Sequence, residues 1–268
     1  FYNSKTFLSR ILEILDEETE INGVVKHDLN GEIALKNVSF SYTRDSKKVL
    51  SNVSIEIKKG EKVAIVGSSG SGKSTLSKLL IGLFPASSGS ILFDDLDYNL
   101  LDKQYLRQQI GIVPQDMTLF NKTIHENIAG DISVSEEEMT KICKLVNIHD
   151  EIMEMPMGYN TLVSEMGMNL SGGQRQRIIL ARALVKKPKI ILLDEATSYL
   201  DNVNEKEIMQ KFKEQNITII VIAHRLSTII DSNQIFVMDK GEIVEQGSHT
   251  ELLNMKNGLY KKLYQTDY

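Results

Sequence analysis

The chain has 268 residues, 41% of them hydrophobic and 25% charged, a balance that excludes a disordered tail, a collagen and a disulfide scaffold. Its 36 acidic against 31 basic side chains give a net charge of -5, which argues against nucleic acid as the main partner. The single cysteine, Cys143, has no disulfide partner and no paired Cys/His metal spacing around it, so a reducing cytosol is expected.

In chain order, residues 4–18 place Phe7, Leu8, Ile11, Leu12, Ile14 and Leu15 at helical spacing and predict an amphipathic helix. The start, Phe1-Tyr2-Asn3-Ser4, has neither an initiator Met nor a signal pattern and reads as a piece cut from a longer protein. Asn22-Gly23 and Asn30-Gly31 punctuate a polar linker, and the folded domain is expected to begin near Glu32. Strand signals follow at Ile33–Phe40, Val53–Ile57 and Lys62–Val66. A helix is then expected up to Phe84, stopped by Pro85. Further strands are predicted at Ser90–Phe93 and Ile110–Val113. Residues 116–186 have mostly helical periodicity, and strands return at Lys189–Leu193, Thr218–Ala223, Gln234–Met238 and Glu242–Glu245. Strand and helix alternate around a helical insertion, which predicts an α/β fold with a largely parallel sheet. No apolar run approaches the roughly 20 residues of a membrane helix.

Gly67-Ser68-Ser69-Gly70-Ser71-Gly72-Lys73-Ser74 matches G-x-x-x-x-G-K-[ST] between an apolar strand and a helix, the context that gives this spacing its meaning. The glycines let backbone N–H groups turn inward toward phosphate oxygens, and the helix N-terminus adds partial positive charge at the same point. Lys73 is expected on the β- and γ-phosphates and the Ser74 hydroxyl on Mg²⁺. A nucleoside triphosphate site follows, with Thr75 closing the contact set.

The uninterrupted apolar run Ile190-Ile191-Leu192-Leu193 ends in Asp194-Glu195, as a central parallel strand covered on both faces would. Acids at the carboxyl end of such a strand lie where open α/β sheets bind ligands. Asp194 fits an Mg²⁺ partner and Glu195 a general base that polarises water. His224 ends the next apolar strand, within expected reach of the γ-phosphate.

Leu170-Ser171-Gly172-Gly173-Gln174, followed by Arg175-Gln176-Arg177 and a helix, resembles the signature motif of ABC ATPases. Its chance occurrence is on the order of one in a million per position. A Ser and two glycines opening a helix make a second anion-binding N-terminus, and one site needs only one such cradle. The resemblance implies a head-to-tail homodimer in which ATP is sandwiched between the phosphate loop of one subunit and Ser171, Gly172, Gly173 and Gln174 of the other.

The same resemblance, which covers residues 32–265, implies the remaining roles. Tyr42 looks like the aromatic that stacks on adenine, Gln115 like the glutamine that senses Mg²⁺ and the attacking water, and Ser198-Tyr199-Leu200-Asp201 like the loop that communicates between the two sites. His224-Arg225-Leu226-Ser227 looks like the switch-histidine segment. It also implies a P-loop NTPase core with an N-terminal antiparallel β subdomain and a helical subdomain inserted at about 116–186. Residues 1–31 would be the helix and linker that follow a membrane domain of the same polypeptide.

Thr118–Ile124 and Gly247–Leu253 resemble the exporter branch, in which ATP-driven dimerisation powers export at the cytoplasmic face of the bacterial membrane. Two departures stand out. Glu165-Met166-Gly167-Met168-Asn169 replaces the usual Gly-Glu-Arg/Lys-Gly element, and Tyr199 stands where Ala is commoner. Both variants are similar to bacterial exporters of peptides such as bacteriocins and lantibiotics, some of which carry a cysteine protease; no nucleophile signature surrounds Cys143. A soluble non-transport ABC ATPase and a lipid or drug exporter stay open as alternatives.

Overall fold

A computed structural model describes residues 8–9, 12, 19–43, 46–116, 118–194, 201–223 and 228–266. Two sheets face each other. The first is antiparallel and built from β1 (Ile33–Phe40), β2 (Leu50–Ile57), β4 (Ser88–Phe93) and β5 (Leu96–Asp97) in the order β2-β1-β4-β5. The second runs β10-β9-β3-β8-β7-β6, where β3 is Lys62–Gly67, β6 Ile110–Val113, β7 Ile190–Asp194, β8 Thr218–Ile222, β9 Gln234–Asp239 and β10 Glu242–Gly247. Only the β9–β10 hairpin in it is antiparallel; every other pairing is parallel. The α/β reading with a mainly parallel sheet and an N-terminal antiparallel sheet is what the structure contains.

Strand periodicity sorts the core into two layers. Val63, Ile65, Ile190, Leu192, Ile220, Ile222, Phe236 and Met238 point toward the antiparallel sheet and pack with Leu35, Leu50 and Ile91. Their sequence neighbours Ala64, Val66, Ile191, Leu193, Ile219, Val221, Ile235 and Val237 point the other way, toward the helices. Successive side chains alternate faces, so a strand buried on both faces must be apolar throughout. Helix α1 (Lys73–Leu80) fills the gap between the sheets with Leu76, Leu79 and Leu80. After α2 (Lys103–Gln108), the segment between β6 and β7 holds α3 (Ile124–Ala129), α4 (Glu136–Leu145), α5 (His149–Glu154) and α6 (Gly172–Leu184), which pack on the opposite face. Helices α7 (Asn202–Glu214), α8 (His249–Asn254) and α9 (Leu259–Thr266) complete the chain.

Three expectations change. Helix α1 stops at Leu80 rather than at Phe84, because Gly82 (φ +64°) takes the left-handed turn of a Schellman motif. Gly82 N–H then donates to Leu79 O at 3.0 Å and Leu83 N–H to Lys78 O at 2.8 Å, which ends the helix before Pro85 is reached. Strand β2 begins at Leu50, since Leu50 pairs with Phe40; Asn52 at φ +52° breaks the alternation that would have revealed it.

The stretch read as a linker is pinned to the domain. Gly23 and Val25 N–H groups donate to Leu101 O and Leu100 O, and Glu20 holds Arg107 in a fork at 2.7 Å. Asp94 accepts from His27 Nε2 and from the backbone N–H groups of Asn30, Gly31 and Glu32. The expected helix over 4–18 lies largely outside the described residues. Among the described residues no helix is long and apolar enough to cross a membrane.

Helices α3 and α8 open on capping boxes, Thr123 with Glu126 and Ser248 with Glu251. The Thr123 hydroxyl holds the Glu126 carboxyl below the usual range, and the Ser248 backbone N–H does the same for Glu251. A lowered folded-state pKa adds stability that is complete above the ordinary value of 4.5 and lost as pH falls through the lowered one. The thermal midpoint is therefore expected to drop as pH is taken below about 4.5. The Glu126→Gln/Glu251→Gln variant, which keeps an acceptor but cannot titrate, should drop less; a pH profile parallel to that of the unaltered chain would contradict this assignment.

Candidate nucleotide site

Four parallel strands deliver their carboxyl ends to one edge of the sheet. Register aligns Ile65 with Ile222 and Ile222 with Asp194, while Val113 aligns with Leu193. The chain beyond each strand therefore emerges side by side. Gly67 opens the phosphate loop after β3, Gln115 follows β6, Asp194 closes β7, and Ala223 leads from β8 to His224. Glu195 and His224 lie outside the described residues, as do Ser198 and Tyr199.

The loop from Gly67 to Ser74 is built for backbone donors. Gly67, Gly70 and Gly72 have φ of +154°, +77° and +105°, and a Cβ on Gly67 would stand 2.3 Å from Met238 O. Only glycine tolerates both the dihedral and that approach. Ser71 N–H turns back to Ser68 O at 3.1 Å, and Ser71 O accepts from Gly241 N at 2.9 Å, which ties the loop to the β9–β10 turn. Ser68, Ser69 and Gly70 are exposed at the tip, whereas Lys73 and Thr75 are buried. Lys73 Nζ donates to Gly67 O at 2.7 Å and to Ser68 O at 3.0 Å, so its ammonium sits against the loop itself. Ser71 Oγ is buried with no hydrogen-bond partner among the described residues, an acceptor-seeking hydroxyl inside an anion cradle.

Tyr42 borders this loop. Its ring is edge-on to Phe40 (centroids 5.0 Å apart, 82°) and to Phe84 (5.8 Å, 88°), and its hydroxyl is 3.0 Å from Thr75 Oγ1. The side chain is fixed at both ends yet 49% exposed, leaving surface on which a base can stack. Sequence reasoning picked out Tyr42 and Thr75 but not their hydrogen bond or the part played by Phe84, which spacing in the chain does not reveal.

The donors that would meet a divalent cation are oxygens: the exposed Ser74 hydroxyl, the exposed Gln115 amide and the half-buried Asp194 carboxylate. This hard-oxygen set suits Mg²⁺. Among the described residues no group of three His, Cys, Asp or Glu forms an alternative metal cluster.

Ser171-Gly172-Gly173-Gln174 occupies the start of α6, in the helical layer. Ser171 is the N-cap, accepting from Gln174 N at 3.1 Å, while Gln174 Oε1 accepts from Ser171 N at 2.9 Å. This capping box occupies the Gln174 N–H and fixes the first turn, with Gly172 and Gly173 half-buried. Arg175 braces it from behind, donating to Leu170 O at 2.7 Å and Gly167 O at 3.1 Å. It thereby fastens the Glu165–Asn169 element to the signature turn, with Glu165 exposed. Asp201 caps α7, accepting from Val203 N and Asn204 N at 3.0 Å each; the Asn204 side chain, the largest cause, holds its carboxyl below the usual range. Cys143 is fully buried and desolvation pushes its thiol up to about 11, which leaves it inert as a nucleophile.

A strand-fed phosphate loop with an acid at the end of the next strand but one, across β8, defines a P-loop nucleotide-binding domain, and the Ser171 turn narrows the class. The ABC transporter family profile matches residues 50–198. A leukotoxin translocation ATP-binding protein of Mannheimia glucosida is 50% identical over 263 residues, covering 96% of this chain and 37% of its own length. The protein of the same description from Bibersteinia trehalosi is 49% identical over the same span. A solved bacterial Atm1-family ABC exporter with ATP bound superposes with a TM-score of 0.88 at 41% identity, covering 97% of this chain and 46% of that one. The chain belongs to the ABC transporter family, as an ATP-binding ATPase domain. It spans little more than a third of the length of the curated relatives it matches.

Gly67→Ala places a methyl group on Met238 O. It should weaken ATP binding at least tenfold, measured by titration with a fluorescent ATP analogue. An affinity within twofold of the unaltered chain would mean that the loop does not need this backbone geometry.

Proposed function

We propose that this chain is the nucleotide-binding domain of a bacterial exporter, acting as a head-to-tail homodimer that closes on ATP and reopens on hydrolysis. The observation that carries the reading is the second capped helix start. The Ser171 turn has its own bracing residues in the helical layer, and the phosphate loop is a separate glycine-lined turn on the sheet, with a Lys73 of its own. Two cradles on one chain serve two nucleotides, each shared with the other copy.

In this reading Lys73 and the amides from Gly67 to Thr75 hold the phosphates, and Tyr42 stacks on the base. Ser74, Gln115 and Asp194 hold Mg²⁺, which when bound offsets phosphate charge. Glu195 takes a proton from the attacking water, and His224 hydrogen-bonds the γ-phosphate. Ser171, Gly172, Gly173 and Gln174 complete the partner's site, and Asp201 lies in the loop that reports between sites. Residues 1–31 follow a membrane domain of the same polypeptide, 32–268 form the ATPase domain, and helices near 116–186 form the subdomain that faces the membrane part. The domain works at the cytoplasmic face.

The relatives named for leukotoxin translocation and the match to an ABC exporter support export over a soluble role. The leukotoxin relatives also support a secreted polypeptide as cargo.

The specific ATPase activity of this chain is expected to climb with protein concentration, because each site needs two copies. Glu195→Gln should bind ATP, lose turnover by at least a hundredfold, and elute as a dimer with Mg-ATP. Normal turnover by that variant would remove Glu195 as the base. A concentration-independent rate from chains that sizing shows to be monomeric would remove the shared site.

A further inference from the structure

The signature turn and Asp201 are 27 residues apart in the chain, yet one run of polar contacts joins them. Gln174 uses its carbonyl oxygen in the capping box and turns its amide N–H to Glu151 Oε2 at 3.0 Å. Arg177, one turn further along α6, grips the same carboxylate at 2.7 Å and 3.1 Å. It also reaches Asn147 O at 2.8 Å and Gly173 O at 3.2 Å. Arg177 is buried while Glu151 is 39% exposed, and the guanidinium's bonds to the carboxylate and to two main-chain carbonyls fix its geometry.

Asn147 is the junction. It follows α4 in the left-handed region at φ +56°, which asparagine accepts more readily than most residues. Its main-chain carbonyl faces α6, and its side chain faces α7. The amide N–H group donates to Asn204 Oδ1 at 3.2 Å and to Glu207 Oε2 at 2.7 Å, while its Oδ1 accepts from Lys211 Nζ at 2.5 Å. Asn204 then donates to Asp201 Oδ2 at 2.6 Å. The run Gln174–Glu151–Arg177–Asn147–Asn204–Asp201 is thus continuous.

We propose that Glu151, Arg177, Asn147 and Asn204 are positioning residues that couple the orientation of the Ser171–Gln174 turn to that of Asp201. A change at one nucleotide site would thereby be felt at the other. This rests on the reading that both segments serve shared ATP sites. Movement of the signature turn pulls on Glu151; Arg177 passes it to the Asn147 carbonyl, and the Asn147 side chain passes it to the first turn of α7, which Asp201 caps.

The test is a double-mutant cycle in ATPase activity with Glu151→Ala and Asn204→Ala, which lie on opposite sides of the Arg177–Asn147 junction. Each single change is expected to lower kcat about five- to tenfold with KM moving less than twofold. The double variant should lose no more than the worse single, and Glu151→Gln, which keeps an acceptor for Gln174, should recover much of the loss.

A second readout is independent of turnover. Asn147→Gly keeps the left-handed backbone but removes the side-chain bonds. It should speed amide exchange in both the 171–175 and the 201–205 peptides while the Ile190–Leu193 peptide stays protected.

Losses that multiply in the double variant, unchanged kcat in the singles, or exchange that rises equally everywhere would overturn the coupling. Gly172→Asp separates the two levels. If it abolishes turnover while the cycle variants remain fully active, the coupling alone falls. If it leaves turnover intact, the shared-site reading falls with it.

Discussion

A parallel strand covered on both faces has nowhere to put a polar side chain until it ends. In this domain β3, β7 and β8 obey that constraint along nearly their whole lengths, with Val63–Val66, Ile190–Leu193 and Ile219–Ile222 all buried. Polar chemistry is therefore expelled to the carboxyl ends, where register sets Asp194 beside Ile222 and Ile222 beside Ile65. The site is thus a consequence of how the core is packed. It also explains why the phosphate loop requires its glycines: the chain must leave a buried strand and re-enter a helix between two sheets within a few residues, beneath the carbonyl of Met238.

Backbone amides at helix starts supply the second organising idea. At α1 they are turned inward by the glycine loop, with Lys73 laid against the loop carbonyls. At α6 they are held by a capping box and braced by Arg175 and Arg177. The first cradle belongs to the sheet, whose strands fix its height. The second belongs to the helical layer, which packs on the sheet through the buried Ile178–Leu184 stretch of α6 and carries side-chain bonds to Glu151 and Asn147 at its signature end. Charge-assisted bonds fix the local shape of the signature turn, and this suits the proposed role of a turn that meets a second molecule.

Much of this was legible in the sequence because it is local. The Gly67–Ser74 spacing, the apolar run before Asp194 and the Ser171–Gln174 start each declare their context within about ten residues. The N-terminal extended segment was not legible. Its polar composition reads as a linker, but Asp94, more than sixty residues on, gathers its N–H groups. Pro85 is the louder stop signal in the sequence, while Gly82 is the residue whose dihedral ends α1. The setting of Tyr42 among Phe40, Phe84 and Thr75, and the meeting of Glu151 with Arg177, are long-range contacts that no spacing rule encodes.

In the proposed dimer the Ser171 turn acts on the other copy's nucleotide. Complementation between two inactive chains tests it directly. Lys73→Ala disables the phosphate loop and leaves the signature turn intact; Gly172→Asp does the reverse by placing a carboxylate where phosphate must bind. In a head-to-tail pair of the two, one site inherits both defects and the other inherits neither. Mixing them should restore about a quarter of the unaltered activity if the sites work independently and the chains pair at random. No recovery on mixing, with mixed dimers verified by sizing and mass, would mean that the Ser171 turn does not serve the other copy's site.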